Sequence, residues 1–304
     1  MKAIDTLKRW IELMVVSFRR TLIGRFIVFL SLPLVVLSIY LWKPNTEIPI
    51  FDAQVHYNED AWDSASVKAI INTANAKNVP WMLVCSLPNE GTWRLYEGDP
   101  DRVIPMVVPY QTRDERDTWF DDPKNLIDLE QEINSKPYRG IGEFFLFDGQ
   151  VDKPVVRGMV ELARKRRLVL HARSDQFAIS QLFALGPDLR ILWAHGGMLT
   201  QPETIGAMLD RYPQLWVEIS HRGDVAPRGK LSTAWKELML RHPGRFLLGS
   251  GTYTMEYWYQ FRYYFDGYRE WLKELPPYMA EQVAFRNGLE LFGLPYREKT
   301  KSAS

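Results

Sequence analysis

The chain has 304 residues, of which 46% are hydrophobic, so it can bury a large core as one large domain or two small ones. Its 38 basic and 37 acidic residues nearly cancel, which argues against nucleic acid as the main partner. The single cysteine, Cys85, excludes an internal disulfide framework. Cys85 lies in the apolar run Trp81–Leu87, and this setting favours a buried, inert thiol over a nucleophile.

The first predicted element is an apolar segment near the N-terminus. The run Phe26–Trp42 contains no charged residue, and at about 1.5 Å per residue a helix of this length nearly spans a bilayer core of roughly 30 Å. Residues 1–25 are mainly basic, so by the positive-inside tendency they stay in the cytoplasm. We therefore predict a single-pass membrane protein whose remaining domain is periplasmic or extracellular. The alternatives are a buried soluble helix and a signal peptide, although no small-x-small cleavage site follows Trp42.

From Ile48 onward, short apolar runs alternate with segments of helical periodicity. Eight strands are predicted, at Pro49–Gln54, Trp81–Leu87, Val103–Tyr110, Gly140–Phe147, Leu168–Arg173, Arg190–Gly196, Leu215–Ser220 and Arg245–Gly251. Helices are predicted at Ala61–Lys77, Pro123–Ser135, Pro154–Arg167, Gln176–Leu185, Pro202–Tyr212, Leu231–Arg241 and Met279–Phe292. The connection Pro88–Arg102 is rich in Gly and Asp and is not predicted to be a regular helix, and Arg297–Ser304 is predicted to be a disordered tail.

Eight β/α units in roughly 250 residues predict a (β/α)8 TIM barrel over residues 48–296. Continuous apolar strands are typical of parallel strands that are buried on both faces. A doubly wound open sheet is the alternative fold. No glycine-rich phosphate loop follows the first predicted strand, which counts against a nucleotide site of that kind.

Several predicted strands end in residues that can bind a metal ion or transfer a proton. The C-terminal ends of the strands are where TIM barrels hold their active sites. Of the five histidines, only His242 lies elsewhere. Three histidines and a carboxylate around one barrel mouth provide nitrogen and oxygen ligands suited to zinc or a similar ion. The residues at these ends are Asp52, Gln54, His56, Glu143, His171, His195, Glu218, His221 and Arg222.

The order of these motifs resembles the amidohydrolase superfamily, and most closely its amidohydrolase-2 branch. The resemblance covers Ile48–Leu294 and depends on the strand-end histidines, Gly-Ile-Gly-Glu at Gly140–Glu143, Gly-Ser-x-x-Tyr at Gly249–Tyr253, and Asn287–Phe292. It implies a distorted TIM barrel in which a metal ion activates water for attack on an amide, ester or related bond of a small molecule. A few members of the family decarboxylate or hydrate their substrates instead.

Two positions depart from the family pattern. Gln54 replaces the first histidine of a His-x-His motif, and Gly251 replaces an aspartate that binds metal and takes the proton from water. One of the family's two overlapping metal sites therefore lacks two ligands. The positions of the other site are retained, so the resemblance implies one divalent ion, with zinc expected. Its ligands would be Glu143, His171 and His195, with His56 as a fourth.

Each candidate has an alternative structural role. Glu143 can instead pair with Arg139 or Arg173, and the histidines can be hydrogen-bonded core residues. His195 and His221 are the candidate catalytic residues, because His221 is the nearest candidate base where the aspartate is missing. A solvated or supporting position is the alternative for His221.

Three residues are candidates for binding the substrate, namely Arg173, Arg222 and Tyr253. The two arginines suit an anionic group, with structural salt bridges as the alternative. The aromatic segment Tyr253–Trp271 has too many rings for one buried face. Some of these rings are therefore expected to reach the site, a partner or the membrane interface.

Two functions follow from this sequence. The retained Glu143, His171 and His195 favour a membrane-anchored metal-dependent hydrolase. The loss of the carboxylate at Gly251 favours a catalytically degenerate barrel that acts as a binding or scaffold module at the membrane. Restoring both missing ligands, by Gly251→Asp with Gln54→His, is expected to raise metal occupancy.

Overall fold

The computed structural model describes residues 47–296, and Ile48–Leu294 form one compact unit. The predicted anchor Phe26–Trp42 and the predicted tail Arg297–Ser304 lie outside the described residues. Within residues 47–296, no helix is both long enough and apolar enough to cross a membrane.

Eight parallel strands, hydrogen-bonded in chain order, form a nearly closed barrel. The barrel closes between its last and first strands through a short bridge, where Ala53 N donates to Leu248 O at 2.8 Å, and just beyond it Gly251 N donates to Gln54 O at 2.7 Å. The (β/α)8 fold class is therefore confirmed. The strands are β1 (Phe51–His56), β2 (Trp81–Cys85), β3 (Val103–Val107), β4 (Gly140–Phe145), β5 (Val169–Arg173), β6 (Arg190–Trp193), β7 (Leu215–Glu218) and β8 (Phe246–Leu247).

Helices surround the strands, and each of the eight strands begins within a predicted strand segment. Short apolar runs identify these strands because both of their faces are covered, as in β3, where every residue is buried. The helices are α1 (Val67–Ala76), α2 (Glu90–Gly98), α3 (Pro123–Ser135), α4 (Pro154–Arg166), α5 (Gln176–Leu185), α6 (Pro202–Arg211), α7 (Thr233–Arg241), α8 (Met255–Leu272), α9 (Pro277–Glu281) and α10 (Asn287–Phe292).

Two helix predictions were wrong in detail. The connection after β2 contains the regular helix α2, which buries Thr92 and Leu95 against the barrel. The predicted final helix is interrupted, because a π-helical turn at Gln282–Arg286 separates α9 from α10. Pro123 and Pro154 begin α3 and α4, as expected for proline at the first helical position.

Parallel pairing of the strands places the polar residues near their C-terminal ends at one end of the barrel. Between β4 and β5 the register shifts between Gly142 and Phe144, so the irregularity falls at Glu143. Bulges of this kind often redirect a side chain beside a functional site. The pairing of β5 with β6 is regular, so His171 and Arg173 lie on the same face of β5, two residues apart.

Candidate functional site

A pocket of about 350 Å³ opens at the C-terminal ends of the strands. Small-molecule sites are typically clefts of roughly 300–1,000 Å³, so the pocket suits a small ligand. The candidate residues predicted from the sequence that line this pocket include Gln54, His56, Glu143, His195, His221 and Tyr253.

Glu143 lies between two histidines at the floor of the pocket. Its Oε2 is 3.2 Å from His56 Nε2, and its Oε1 is 3.2 Å from His195 Nε2. The suggested pairing with Arg139 or Arg173 does not occur in residues 47–296, since Arg139 donates to Phe292 O and Arg173 has no carboxylate partner there. The structure therefore brings His56, Glu143 and His195 together.

The charges of these three groups are coupled. Burial raises the pKa of Glu143, but the hydrogen bonds from His195 and His56 outweigh it and hold the pKa well below its usual range. Burial also lowers the pKa of His56, whereas Cys85 Sγ, 3.4 Å from its Nδ1, and the Glu143 carboxylate raise it to about 10. For His195, burial is again outweighed by Glu143, so its pKa is raised. The Glu143 carboxylate is thus ionised, and it favours the protonated, positively charged forms of His56 and His195.

The orientation of His195 is fixed by its other ring nitrogen. His195 Nδ1 lies 3.2 Å from Ser220 O and 2.9 Å from Ser220 Oγ. A carbonyl oxygen can only accept, so Nδ1 carries a proton that it donates. Nε2 consequently faces Glu143, an arrangement that is typical of metal-ligating histidines.

His171 is buried close to these groups, and its electrostatic interactions include Glu143, His195 and His56. Burial lowers its pKa to about 3, so the imidazole is neutral at physiological pH. Its Nε2 has no hydrogen-bond partner among the described residues. A buried, neutral imidazole with an unpartnered ring nitrogen is an uncommon core residue, because buried polar atoms are normally paired.

The side chains at the floor of the pocket are of types that divalent ions accept as ligands. Among residues 47–296, no group of three or more His, Cys, Asp or Glu side chains already has the geometry of a metal centre. However, His171 Nε2 is buried without a hydrogen-bond partner in the same part of the chain, and the buried Glu143 Oε1 has its contact with His195 Nε2 at 3.2 Å. Imidazole nitrogens with one carboxylate are ligands that zinc accepts. A bound cation would supply the partner that His171 Nε2 lacks, beside the ionised carboxylate of Glu143.

His221 fills the space beside Gly251. A Cβ atom on Gly251 would lie 2.0 Å from His221 Nε2, and that nitrogen lies 3.1 Å from Gly251 O. The expectation that Gly251→Asp with Gln54→His raises metal occupancy stays a prediction, and it requires the His221 ring to move away from the new side chain. The imidazole stands where the strand-eight carboxylate would have to be.

Strand β1 contributes two polar side chains near the pocket, Gln54, which lines it, and Asp52, which does not. Gln54 Nε2 is 3.0 Å from His56 Nε2, so the amide at the first position of the family motif contacts the retained histidine. Asp52 does not line the pocket; its Oδ2 accepts from Ser250 Oγ at 2.7 Å and its Oδ1 accepts from Ser250 N at 2.8 Å. Asp52 therefore joins β1 to the segment that follows β8.

The three predicted substrate-binding residues occupy different environments. Arg173 and Tyr253 line the pocket. Arg222 contacts only other parts of the fold in residues 47–296: it donates to Asp224 Oδ1 and Oδ2 at 2.8 and 2.7 Å, and to Gly196 O at 3.0 Å. Arg222 therefore has the structural salt bridge that was its alternative role.

Three further pocket residues were not predicted from the sequence, namely Arg116, Phe145 and Met198, whereas Tyr257 is one of the aromatic rings of which some were expected to reach the site. Phe145 had a signal, because it is two residues beyond Glu143 on the same strand. Arg116 had none, because it lies in the irregular segment between β3 and α3. Tyr257 belongs to the aromatic segment, whose exposed rings in α8 include Tyr259 and Tyr263, at 71% and 76%.

Comparison with known proteins gives one family. The model of the family described as amidohydrolase matches residues 127–294, which is more than half of the chain. The match includes Glu143, His171 and His195, and it begins after the strand-one residues Gln54 and His56. A search of curated proteins finds no match.

Proposed function

Because the chain belongs to the amidohydrolase family, we propose that it is a hydrolase that uses one divalent ion, zinc, to cleave an amide, ester or related bond of a small molecule. The observation that carries this proposal is the Glu143 carboxylate between His56 Nε2 and His195 Nε2, 3.2 Å from each. These groups lie at the C-terminal mouth of the barrel, where this fold holds its active sites.

The ion would be held by His56, Glu143, His171 and His195. When bound, a divalent ion supplies Lewis acidity, which polarises a carbonyl and acidifies water. Ser220 keeps the proton of His195 on Nδ1, and this leaves Nε2 to act as the ligand. The neutral His171 needs no deprotonation before it can bind a metal.

His221 is proposed as the proton acceptor, with His195 as the second catalytic histidine. Gly251 O can only accept, so His221 Nε2 carries the proton of their hydrogen bond and Nδ1 keeps a lone pair. His221 is exposed at the pocket, and partial desolvation and the nearby His195 lower its pKa to about 4. The imidazole is therefore neutral at physiological pH and has a free nitrogen, but it is a weak base there. It would replace the aspartate that the family has at the position of Gly251.

The test is the metal content of the full-length chain, purified in a neutral detergent and supplied with zinc. We expect about one zinc per chain in the wild type, as a mononuclear site requires, and loss of zinc in His171→Ala and His195→Ala. His242→Ala is the matched control, because His242 pairs with Asp210 outside the pocket and its loss should leave zinc in place. A wild-type chain that holds no zinc would contradict the proposal.

Activity is measured on the same preparations with 4-nitrophenyl acetate. We expect slow hydrolysis that depends on zinc. Removing a general base typically costs roughly 10²–10⁴-fold, so His221→Ala should lower the rate within that range without lowering zinc content.

Gly251 favours a second candidate function. A glycine at this position can neither bind metal nor take a proton, so a barrel that has lost catalysis would act as a binding or scaffold module at the membrane. A chain without zinc and without zinc-dependent esterase activity would favour this function. In that case His171→Ala and His195→Ala should behave as the wild type.

We also propose that Phe26–Trp42 anchors the protein in a membrane with the barrel outside the cytoplasm. The support is an uncharged run that follows the basic residues 1–25. A reporter enzyme that is active only after export, fused to the C-terminus, should be active and membrane-bound. Recovery of the full-length chain in the soluble cytosolic fraction would contradict the anchor.

A further inference from the structure

Arg173 has a charged group without a partner in the pocket. It is the last residue of β5 and only partly buried. Within residues 47–296, no carboxylate or carbonyl oxygen lies within hydrogen-bonding distance of its guanidinium. Its side chain instead lies against the ring of Phe145, with Cζ 4.6 Å from the ring centroid. A guanidinium with five N–H donors therefore lines a small-molecule site and has no protein acceptor among residues 47–296.

A second arginine contacts the same ring. Arg116 Cζ lies 4.7 Å from the centroid of Phe145, and both arginines line the pocket. Arg116 donates through Nε and Nη2 to Asp117, at 3.2 and 2.8 Å, so both N–H groups of Nη1 and one of Nη2 remain as donors among the described residues. Two guanidinium groups thus lie against Phe145 at the mouth, and within residues 47–296 only that of Arg116 has a carboxylate partner.

The position of Arg173 relative to the proposed metal site follows from the strand. Arg173 and His171 lie on one face of β5, and a strand rises about 3.3 Å per residue, so their Cα atoms are about 6.6 Å apart along the strand. Arg173 is the residue nearer the mouth. The positive charge therefore lies one layer of side chains above the proposed site of bond cleavage.

We propose that the substrate carries an oxyanion, either a carboxylate or a phosphate, which Arg173 and Arg116 bind at the mouth while the bond to be cleaved lies at Glu143. This inference rests on the proposed function for the reaction and adds the class of substrate. Guanidinium groups match both oxyanions through paired N–H donors, and Phe145 restricts the directions in which these donors can point. The site thus suits a short molecule with an anion at one end.

The experiment measures anion binding to the zinc-free, full-length chain by calorimetric titration. The probes are glutaramate, which carries one amide and one carboxylate, its neutral analogue glutaramide, and inorganic phosphate. Glutaramate should bind more tightly than glutaramide, and Arg173→Met should weaken its binding about 10-fold or more, as expected for a hydrogen-bonded charge pair. Arg116→Met should cause a smaller loss, since Arg116 already has Asp117.

Two variants control for unrelated effects. Arg94→Met removes an arginine that also lies on an aromatic ring, that of Trp62, but outside the pocket, so it should bind glutaramate as the wild type does. Arg173→Lys keeps a charge without the planar fork and should give an intermediate affinity. Whichever anion binds more tightly, glutaramate or inorganic phosphate, identifies the oxyanion, provided that its binding depends on Arg173.

The proposal is overturned if glutaramide binds as tightly as glutaramate, if neither anion binds, or if Arg173→Met leaves anion binding unchanged. The comparison of the two wild-type titrations requires no variant, so it remains valid if Arg173→Met fails to fold. Because zinc is absent from the titration, the two proposals can fail separately. A chain that binds zinc but not anions retains the proposed function, and a chain that binds anions but not zinc retains the oxyanion site.

Discussion

The His221 ring occupies the space into which a side chain on Gly251 would project. The ring belongs to the segment after β7 and the glycine to the segment after β8, and an added Cβ would lie 2.0 Å from Nε2. Gly251 also has a φ of +62°, in the left-handed region that favours glycine. The missing carboxylate and the placement of His221 are therefore one structural feature rather than two.

We expect Gly251→Ala to lower the free energy of unfolding by about 2–4 kcal/mol, the sum of a left-handed backbone and overpacking against His221. Urea denaturation of the full-length chain measures this change. Gly149→Ala is the matched control, because Gly149 has a φ of +80° with nothing within 4 Å of the added Cβ, so it carries only the backbone cost.

The contribution of His221 is isolated by repeating Gly251→Ala in a His221→Ala background. There the loss of stability should fall to that of Gly149→Ala, about 1–2 kcal/mol. An equal loss in both backgrounds would mean that the two residues do not compete for space.

The barrel could be predicted because its strands are covered on both faces, so each reads as a continuous apolar run. Helix α2 was missed because Gly91 and Gly98 suggested a loop. In the structure a Cβ on Gly91 would lie 2.0 Å from Tyr57 O, so this glycine permits close packing of a helix instead of interrupting one. A glycine needed for packing and a glycine at a turn look the same in a single sequence.

The convergence of His56, Glu143 and His195 followed from their positions at strand ends, because parallel strands all end at the same mouth of the barrel. The partners of Arg222 and the competition between His221 and Gly251 join segments that only the closed barrel brings together. Contacts of this kind cannot be predicted from the sequence of either segment alone. The sequence therefore indicated which residues reach the mouth of the barrel, but not which of them contact one another there.

Arg222 should contribute to stability and not to ligand binding. Its guanidinium satisfies Gly196 O, Thr200 O and both oxygens of Asp224, and it lies over the ring of Trp235. Arg222→Met should therefore lower the free energy of unfolding by about 2–4 kcal/mol, because these acceptors lose their donor. Urea denaturation measures the effect, and the affinity for glutaramate should not change.

Arg164→Met provides the comparison for Arg222→Met, because Arg164 pairs with Asp188 at the surface and should change stability by about 0.5 kcal/mol or less. A loss of glutaramate binding in a folded Arg222→Met variant would restore Arg222 to the substrate-binding residues.

Asp52 should make the protein less stable as the pH rises from about 4 to about 7. Burial raises its pKa to about 7, although hydrogen bonds from Ser250 and Gln54 N partly oppose the shift. In this window the folded state holds a proton that the unfolded state has released, so stability falls with rising pH and remains lower above it. Asp52→Asn should remove this loss, raising the free energy of unfolding at pH 8 by roughly 1–4 kcal/mol with little change at pH 4.

The asparagine can be accommodated because Ser250 Oγ also lies 3.2 Å from Gln54 O, to which the hydroxyl can donate instead. Urea denaturation at pH 4, 6 and 8 gives the profile. A wild-type profile that does not fall between pH 4 and 7, or that falls equally in Asp52→Asn, would show that Asp52 is not the group responsible.

Zinc binding should release protons, because two of the proposed ligands, His56 and His195, have raised pKa values in the zinc-free chain. The zinc-free chain holds a proton on His56, whose pKa is raised to about 10, and His195 also has a raised pKa because of Glu143. Both imidazoles must lose a proton from Nε2 to bind a metal, whereas His171 is already neutral. We expect about one to two protons released per zinc near pH 7, and an affinity that rises about 10-fold or more per pH unit. Calorimetry in buffers of different ionisation enthalpy counts these protons; His56→Ala should lower the count by about one, and zinc binding without proton release would contradict the assignment of His56 and His195 as ligands.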